Sequence, residues 1–173
     1  DVQKVTNNDR IYYSINLVGW GMGTDIGLLA EKMRWIGPAR YNIASIIKIF
    51  TYQEKHATVI IDGNKLNQKF AFIIVCNTMH IGKGMKMAPN AKIDDGKIDA
   101  ILIGDNFGKL ELLKLFPSIF SGNHIKNHKV NYLQANSLEL IPQQDEVLNI
   151  DGELIGKTPI HISVLQKKIQ LLN

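Results

Sequence analysis

Two groups of residues in this chain have types and spacings suited to phosphate chemistry. Arg34 and Arg40 flank the Gly37-Pro38 pair, and apart from Arg10 they are the only arginines; every other basic residue is a lysine. A guanidinium offers a planar fork of donors that can engage two phosphate oxygens together, which an ammonium cannot. Gly suits the end of a helix and Pro the start of the next, so a corner at Gly37-Pro38 would aim both arginines at one anion. Glu31 precedes Arg34 by three residues, and a helical ion pair between them is the competing use of that arginine. The second group is acidic: Asp62-Gly63, Asp94-Asp95-Gly96 and Asp151-Gly152-Glu153. An Asp-Gly pair by itself makes a tight turn, and Asp62-Gly63-Asn64 is assigned to that role. Asp95, beside a second carboxylate and a glycine that lets the backbone curl, could gather main-chain carbonyls onto a hard cation. Glu153 would stand at a strand end, where loops carry sites.

Other chemistry is weakly supported. His124 and His128 are four apart but have no nearby acid or third ligand. Gly19-Trp20-Gly21-Met22-Gly23 lacks the G-x-G-x-x-G spacing, and Gly82-Lys83-Gly84-Met85 lacks the Walker A spacing. Cys76, the single cysteine, lies in an apolar run and reads as inert packing; alone it forms no intrachain disulfide and no cysteine-based zinc site.

The elements that must position these residues are mostly strands. Ile11, Tyr13, Ile15 and Leu17 alternate with Tyr12, Ser14 and Asn16, the period of a half-buried strand. Residues 58–62 and 70–76 read as strands around the Gly63-Asn64 turn. Further strands are expected at 98–103, 129–134, 138–141, 147–150, 160–164 and 168–172. Three helices interrupt them. The first carries Ile26, Leu29, Ala30, Met33 and Ile36 after Thr24 as N-cap. The second has a buried stripe of Ile43, Ala44, Ile46, Ile47 and Phe50, and the third runs from Lys109 to about Phe116. The pattern predicts a mainly β, α+β fold: one antiparallel, β-sandwich-like or barrel domain with two or three helices over residues 1–173, rather than βαβ units.

The chain has 173 residues, 45% hydrophobic and 21% charged, enough to close a core and a poor fit to disorder or coiled coil. No run approaches the ~18 apolar residues of a spanning helix. A net charge of +4 permits an anionic partner. The basic residues lack interleaved aromatics, which argues against a nucleic-acid surface. The opening DVQKVTNNDR has no initiator Met, apolar leader or transit-peptide character, and is expected to begin a fragment.

Taken in order, these motifs resemble one family. Gly19-Trp20-Gly21, Asp25, the run Ala30 to Gly37 and Arg40-Tyr41 are similar to the start of the C-terminal domain in sphingosine and ceramide kinases. Asn77-Thr78, Gly82-Lys83-Gly84-Met85, Pro89-Asn90-Ala91 and Asp95-Gly96-Lys97-Ile98-Asp99 resemble the second-domain signature of diacylglycerol-kinase-like lipid kinases. Ile150-Asp151-Gly152-Glu153 resembles its terminal DGE segment. The resemblance implies the second domain of a two-domain lipid kinase, acting on ATP and lipid at the cleft between domains. The N-terminal nucleotide-binding domain of the same protein, with its GGDGT loop, has no counterpart in this chain. It further implies that Arg34 and Arg40 contact ATP phosphates, that Asp151, Gly152 and Glu153 lie near the nucleotide, and that Glu153 is the active-site acid. Asp95, with the main-chain oxygens of Lys92 and Lys97, would hold a structural Mg2+. Sphingosine kinases place an Asp two residues beyond the position of Asp25; here that position is Gly27, so a protonated sphingoid amine lacks its partner and diacylglycerol or ceramide is the expected substrate.

The expected mechanism is in-line attack of a lipid hydroxyl on the γ-phosphoryl group, resting on positioning and electrostatics. The first two helices could wall an acyl pocket or simply pack the core. The expected setting is cytoplasmic, with peripheral association at a membrane surface, no nucleic acid, and room for a homodimer. This chain alone, lacking the nucleotide loop, is expected to be inactive. Two alternatives stand: a non-catalytic β-sandwich that binds lipid or protein, and a dinucleotide kinase of the NAD kinase kind, against which the segment around Arg34 speaks.

Overall fold

The computed structural model describes residues 1–170 other than Asp9 and Lys83. The described residues form eleven strands: β1 (Val2–Thr6), β2 (Ile11–Ser14), β3 (Leu17–Gly21), β4 (Lys55–Ile61), β5 (Asn64–Cys76), β6 (Ile98–Gly104), β7 (Val130–Ala135), β8 (Ser137–Pro142), β9 (Val147–Ile150), β10 (Glu153–Lys157) and β11 (Ile160–Leu165). The helices are α1 (Met22–Lys32), α2 (Arg40–Thr51), α3 (Lys109–Leu115) and the single turn α4 (Ser118–Ser121).

All strand pairings between these elements are antiparallel, in the order β10-β9-β3-β5-β4-β8-β11-β1-β2, with β6 on β5 and β7 on β6. The thirteen-residue β5 belongs to both halves of this arrangement. Its first half pairs with β4, from Asn64 opposite Ile61 to Phe70 opposite Lys55. Its second half is flanked by β3 and β6, with Ile73 opposite both Trp20 and Leu102. A register irregularity between Phe70 and Phe72 marks the change. Phe70, Ile73 and Val75 face one core, between the two halves of the sheet, with Trp20, Val59, Leu102 and Leu140. Phe72, Ile74 and Cys76 face a second core, shared with Met22, Ile49, Leu112 and Ile119 beneath the helices. The mainly β, sandwich-like architecture is therefore as expected, with a helical layer on one side.

The turn from β3 into α1 requires glycine. Gly21 has φ 79, and a Cβ there would lie 2.8 Å from the carbonyl oxygen of Ala71. At the next corner Gly37, with φ 73, reverses the chain within a 3₁₀ segment, Arg34–Ala39, that joins α1 to α2.

Several expectations need correction. The alternation from Ile11 to Leu17 is two strands, because the chain turns at Ile15-Asn16. Thr24 lies inside α1 and donates its hydroxyl to the carbonyl of Gly19, while Gly21 holds the N-cap position. The first helix stops at Lys32, short of Ile36. In α2 the buried residues are Ala44, Ser45 and Ile49; Ile43, Ile46, Ile47 and Phe50 are exposed. That helix is apolar on more than one face, and its helical period left open which face packs. Residues 168–170 carry no strand, and 171–172 lie outside the described residues. β1 and β10 were unanticipated, β1 being amphipathic over only five residues and β10 mostly exposed.

One carboxylate is buried in the sheet. Asp99 of β6 accepts hydrogen bonds from the Tyr132 hydroxyl and from Gln134 Nε2, the latter at 3.1 Å. Burial pushes its carboxyl above the ordinary value, against the lowering effect of those two bonds. A carboxyl that holds its proton more tightly when folded favours folding most below its unfolded pKa of about 3.9, and that contribution is lost as pH rises through the folded value. Asp99→Asn removes this dependence. In urea titrations from about pH 4 to neutrality, the variant should gain steadily on the parent in unfolding free energy; parallel pH profiles would contradict this.

Candidate functional site

A cavity of about 600 Å³ lies between the helical layer and the outer face of β3 and β5. Its walls are mainly apolar: Met22 and Ile26 from α1, Ile49 from α2, Phe72 and Ile74 from β5, Phe116 at the end of α3 and Phe120 from α4. Met85 and Met87 add thioethers, which adapt to irregular apolar ligands. Polar groups enter from two places. Asn16 comes from the β2–β3 turn, Asn149 from β9, Asp151 and Gly152 from the β9–β10 turn, and Tyr41, Asn42 and Ser45 from α2. Such a lining, apolar with a few grouped polar atoms, suits a ligand with a hydrocarbon body and a polar end.

The Asp151-Gly152-Glu153 turn is held rigidly. Asp151 Oδ1 accepts hydrogen bonds from Ser14 Oγ at 2.7 Å and from the amides of Asn16 and Leu17 at 2.9 Å; Oδ2 accepts the Ile15 amide at 2.8 Å. The Asp151 amide donates to the Leu17 carbonyl, and Gly152 donates its amide to Asn149 Oδ1. The Asp151 carboxylate is thus the clamp that breaks β2 from β3. Glu153 begins β10 opposite Ile150 and is exposed, next to the cavity lining.

The two arginines meet on one carboxylate. Arg34 is an i,i+3 ion pair with Glu31, its Nε donating to Oε2 at 2.6 Å, and its side chain is 73% exposed. Arg40 Nη2 approaches the other Glu31 oxygen at 3.8 Å, with the side chain 25% exposed. Its guanidinium lies 4.9 Å from the centroid of the Tyr41 ring, and its buried Nε has no hydrogen-bond partner among the described residues. Two guanidiniums share a single acid, so the corner keeps a net positive charge. Pro38 and Tyr41, on either side of Arg40, both line the cavity.

Gly27 lines the cavity as well, with Leu154 and Asn149 near the place a side chain would occupy. Asp25 points elsewhere: it pairs at 3.8 Å with Lys55, which holds Glu146 at 2.7 Å and so ties α1 to the sheet. The loop of Lys92, Asp95 and Lys97 does not line the cavity. There Asp95 Oδ1 accepts the Lys97 amide at 3.0 Å, and Gly96 donates its amide to Asp1 Oδ2 at 2.8 Å. Among the described residues no cluster of three or more His, Cys, Asp or Glu could hold a metal ion. A cation at this loop would rest on one carboxylate and main-chain oxygens, a hard donor set compatible with Mg2+.

The remaining candidates are structural. His124 is buried with Nε2 2.9 Å from the Met87 carbonyl, and burial lowers its pKa, whereas His128 is exposed. Burial raises the Cys76 thiol far above its ordinary range, in keeping with inert packing. Most of the cavity wall escaped sequence reasoning. Phe72 and Ile74 look like any core strand, and Phe116 and Phe120 are brought in by α3 and α4; Gly19, Tyr41, Gly82, Met85, Asp151 and Gly152 are the wall residues that belong to recognised motifs.

Residues 16–173 match the family model described as the YegS C-terminal NAD kinase beta sandwich-like domain. A diacylglycerol kinase of Staphylococcus epidermidis is 27% identical over 99% of this chain and 53% of its own length. Sphingosine kinase 1 of Arabidopsis thaliana is 21% identical, covering 91% of this chain and 42% of that one. A crystal structure of a diacylglycerol kinase from Bacillus anthracis superposes with a TM-score of 0.71 at 20% identity, over 95% of this chain and 53% of that chain. The chain spans about half the length of the curated relatives it matches.

The clamp is directly testable. Asp151→Ala should lower the unfolding free energy in urea by about 2–3 kcal/mol. Asp151→Asn should cost less, because its Oδ1 can still accept three of the bonds. Glu153→Ala, at an exposed side chain, should stay within about 0.5 kcal/mol of the parent. Equal stabilities for the Ala and Asn forms of position 151 would contradict the clamp.

Proposed function

The chain belongs to the family of YegS C-terminal NAD kinase beta sandwich-like domains, whose relatives here are diacylglycerol and sphingosine kinases, and on that premise we propose that it is the lipid-facing half of an ATP-dependent lipid kinase. The observation that carries this reading is the apolar cavity of about 600 Å³ whose polar lining includes the Asp151-Gly152 turn and whose rim abuts the arginine corner. The acyl chains of the substrate occupy the cavity, and its hydroxyl sits at the polar lining. With Gly27 in the wall and Asp25 engaged by Lys55, no carboxylate at those positions awaits a sphingoid amine. Diacylglycerol or ceramide is therefore favoured over sphingosine.

In the reaction, the lipid hydroxyl oxygen forms a bond to the γ-phosphorus of ATP as the bond to the β-phosphate oxygen breaks, and ADP leaves. Glu153 takes up the hydroxyl proton or orients that hydroxyl. Arg34 and Arg40 bind the phosphates in place of Glu31 and offset the charge that spreads over the transferred group. Asp151 and Gly152 position the turn. Mg2+, held by Asp95 and the main-chain oxygens of Lys92 and Lys97, would supply charge neutralisation within that loop and stiffen it. The glycine-rich phosphate cradle comes from an N-terminal nucleotide-binding domain of the same protein, so the 173 residues alone do not turn over. The setting is the cytoplasmic face of a membrane, to which the protein is peripherally associated; among the described residues no helix is long and apolar enough to cross one. A lipid-binding domain without transfer activity would use the same cavity and is separated by the assay.

The test is phosphate transfer from ATP by the protein carrying both domains. Diacylglycerol or ceramide should be phosphorylated in preference to sphingosine, and Arg40→Ala should lower kcat/KM about 10²-fold, the usual cost of removing one preorganised donor to a developing charge. Unchanged turnover in Arg34→Ala and Glu153→Ala would sink the site assignment, and absence of transfer to any lipid would leave the binding role alone.

A further inference from the structure

The Asp151 end of the cavity carries two carboxamides whose orientation is fixed. Asn149, on β9, accepts the Gly152 amide on its Oδ1 at 2.9 Å. Asn16, in the β2–β3 turn, accepts the Thr78 hydroxyl on its Oδ1 at 2.7 Å. A carboxamide whose oxygen is engaged in this way presents its NH2 group on the other side. Both residues are half-buried and line the cavity, and among the described residues neither Nδ2 has a hydrogen-bond partner. Asn149 Nδ2 lies 3.6 Å from the point where a side chain on Gly27 would begin, so the bare glycine leaves that donor room for a ligand atom.

The charges around these donors narrow the ligand chemistry. Among the described lining residues Asp151 is the one that carries a charge. Its two oxygens already accept the Ser14 hydroxyl and the amides of Ile15, Asn16 and Leu17. An ammonium, which only donates, therefore finds no free carboxylate there. No lysine, arginine or histidine joins the described lining, so a carboxylate or phosphate lacks a counter-charge. Two NH2 groups beside hydrocarbon walls call for a neutral acceptor, because a ligand that covers them without pairing them loses affinity. An acyl carbonyl, of an ester or an amide, is such an acceptor, and it stands where a fatty chain begins. A lipid whose chains are joined by ether bonds has the same hydrocarbon and a much weaker acceptor.

We infer that Asn149 and Asn16 donate to the acyl carbonyls of the lipid and make the cavity selective for acylated lipids over ether-linked or amino ones. The inference rests on the reading that the cavity takes a lipid, and assigns the residues that recognise its ester or amide groups. Asn149 also joins recognition to the reacting end, since the Gly152 amide that it holds lies one residue before Glu153. One side chain thus sets the carbonyl through Nδ2 and the turn through Oδ1.

The experiment titrates the isotopically labelled 173-residue chain with dioctanoylglycerol, with its dioctyl diether analogue and with sphingosine, following the backbone amides and the asparagine NH2 signals. The diester should bind about tenfold more tightly than the diether, and it alone should displace the NH2 signals of Asn149 and Asn16. Asn149→Asp keeps an oxygen for the Gly152 amide and replaces the donor by an acceptor. It should erase the preference for the diester, leave diether affinity within about twofold of the parent, and bind sphingosine more tightly than the parent does. Asn16→Asp, on a separate turn, should weaken the diester in the same way. Circular dichroism and the urea midpoint check that both variants remain folded. Equal affinity of the parent for diester and diether, or a preference that survives these substitutions, overturns the inference and leaves the kinase reading standing. Binding of none of the three overturns the inference together with the lipid-filled cavity. Diester preference without phosphoryl transfer by the protein carrying both domains removes the kinase reading and keeps the carbonyl site.

Discussion

β5 is covered on both faces, and much of the rest follows from that. Its second half has β3 on one edge, β6 on the other, the sandwich core on one face and the helical core on the other. A strand in that position must be apolar at every residue, and Phe70-Ala-Phe-Ile-Ile-Val-Cys76 is. The irregularity between Phe70 and Phe72 lets the earlier half of the strand return to alternation, with one face toward solvent. The outer face of that apolar stretch then requires a lid, which α1, α2, α3 and α4 provide. They meet the strand through Met22, Ile49, Leu112 and Ile119, and the space they leave open is the cavity. A cavity thus arises where the sheet's second face is incompletely filled.

Carboxylates do much of the positioning around that space. Asp62 and Asp151 both have positive φ, 46 and 52, and both turn their side chains onto the amides of another turn. Asp62 binds Asn136 and Ser137, tying the β4–β5 hairpin to the β7–β8 turn. Asp151 ties the β9–β10 turn to the end of β2, so Gly152 and Glu153 are held in place by bonds made one residue earlier. Glu31 does the equivalent for the helix corner by gathering Arg34 and Arg40. An arriving polyanion would inherit a pair of guanidiniums that is already assembled.

What was legible in the sequence divides along physical lines. Short-range rules performed well: most of the strand segments, the Asp62-Gly63 turn, the corner at Gly37-Pro38 and the closeness of Glu31 to Arg34 all involve neighbours in the chain. Long-range choices were hidden. That Asp151 reaches back more than a hundred residues to split Ile11–Leu17 into two strands is a contact no local pattern reveals. The packing face of α2 was misread for a related reason: Ile43, Ala44, Ile46, Ile47, Ile49 and Phe50 make it apolar nearly all round, and only its neighbours decide which side is buried. The family motifs marked the arginine corner and the Asp-Gly-Glu turn, whereas the cavity beside them is built largely from ordinary core residues such as Phe72 and Ile74.

The proposed kinase reading puts a lipid chain in the cavity between the helices and β5. Amide chemical-shift perturbation on the isotopically labelled chain, titrated with dioctanoylglycerol, tests it most directly. Saturable shifts are expected at Gly19, Gly23, Gly27, Ile74 and Gly152, all on the cavity wall, and none in the Asp94–Lys97 loop. Shifts confined to that loop or to the far end of the sandwich, or no saturable shift anywhere, would contradict it.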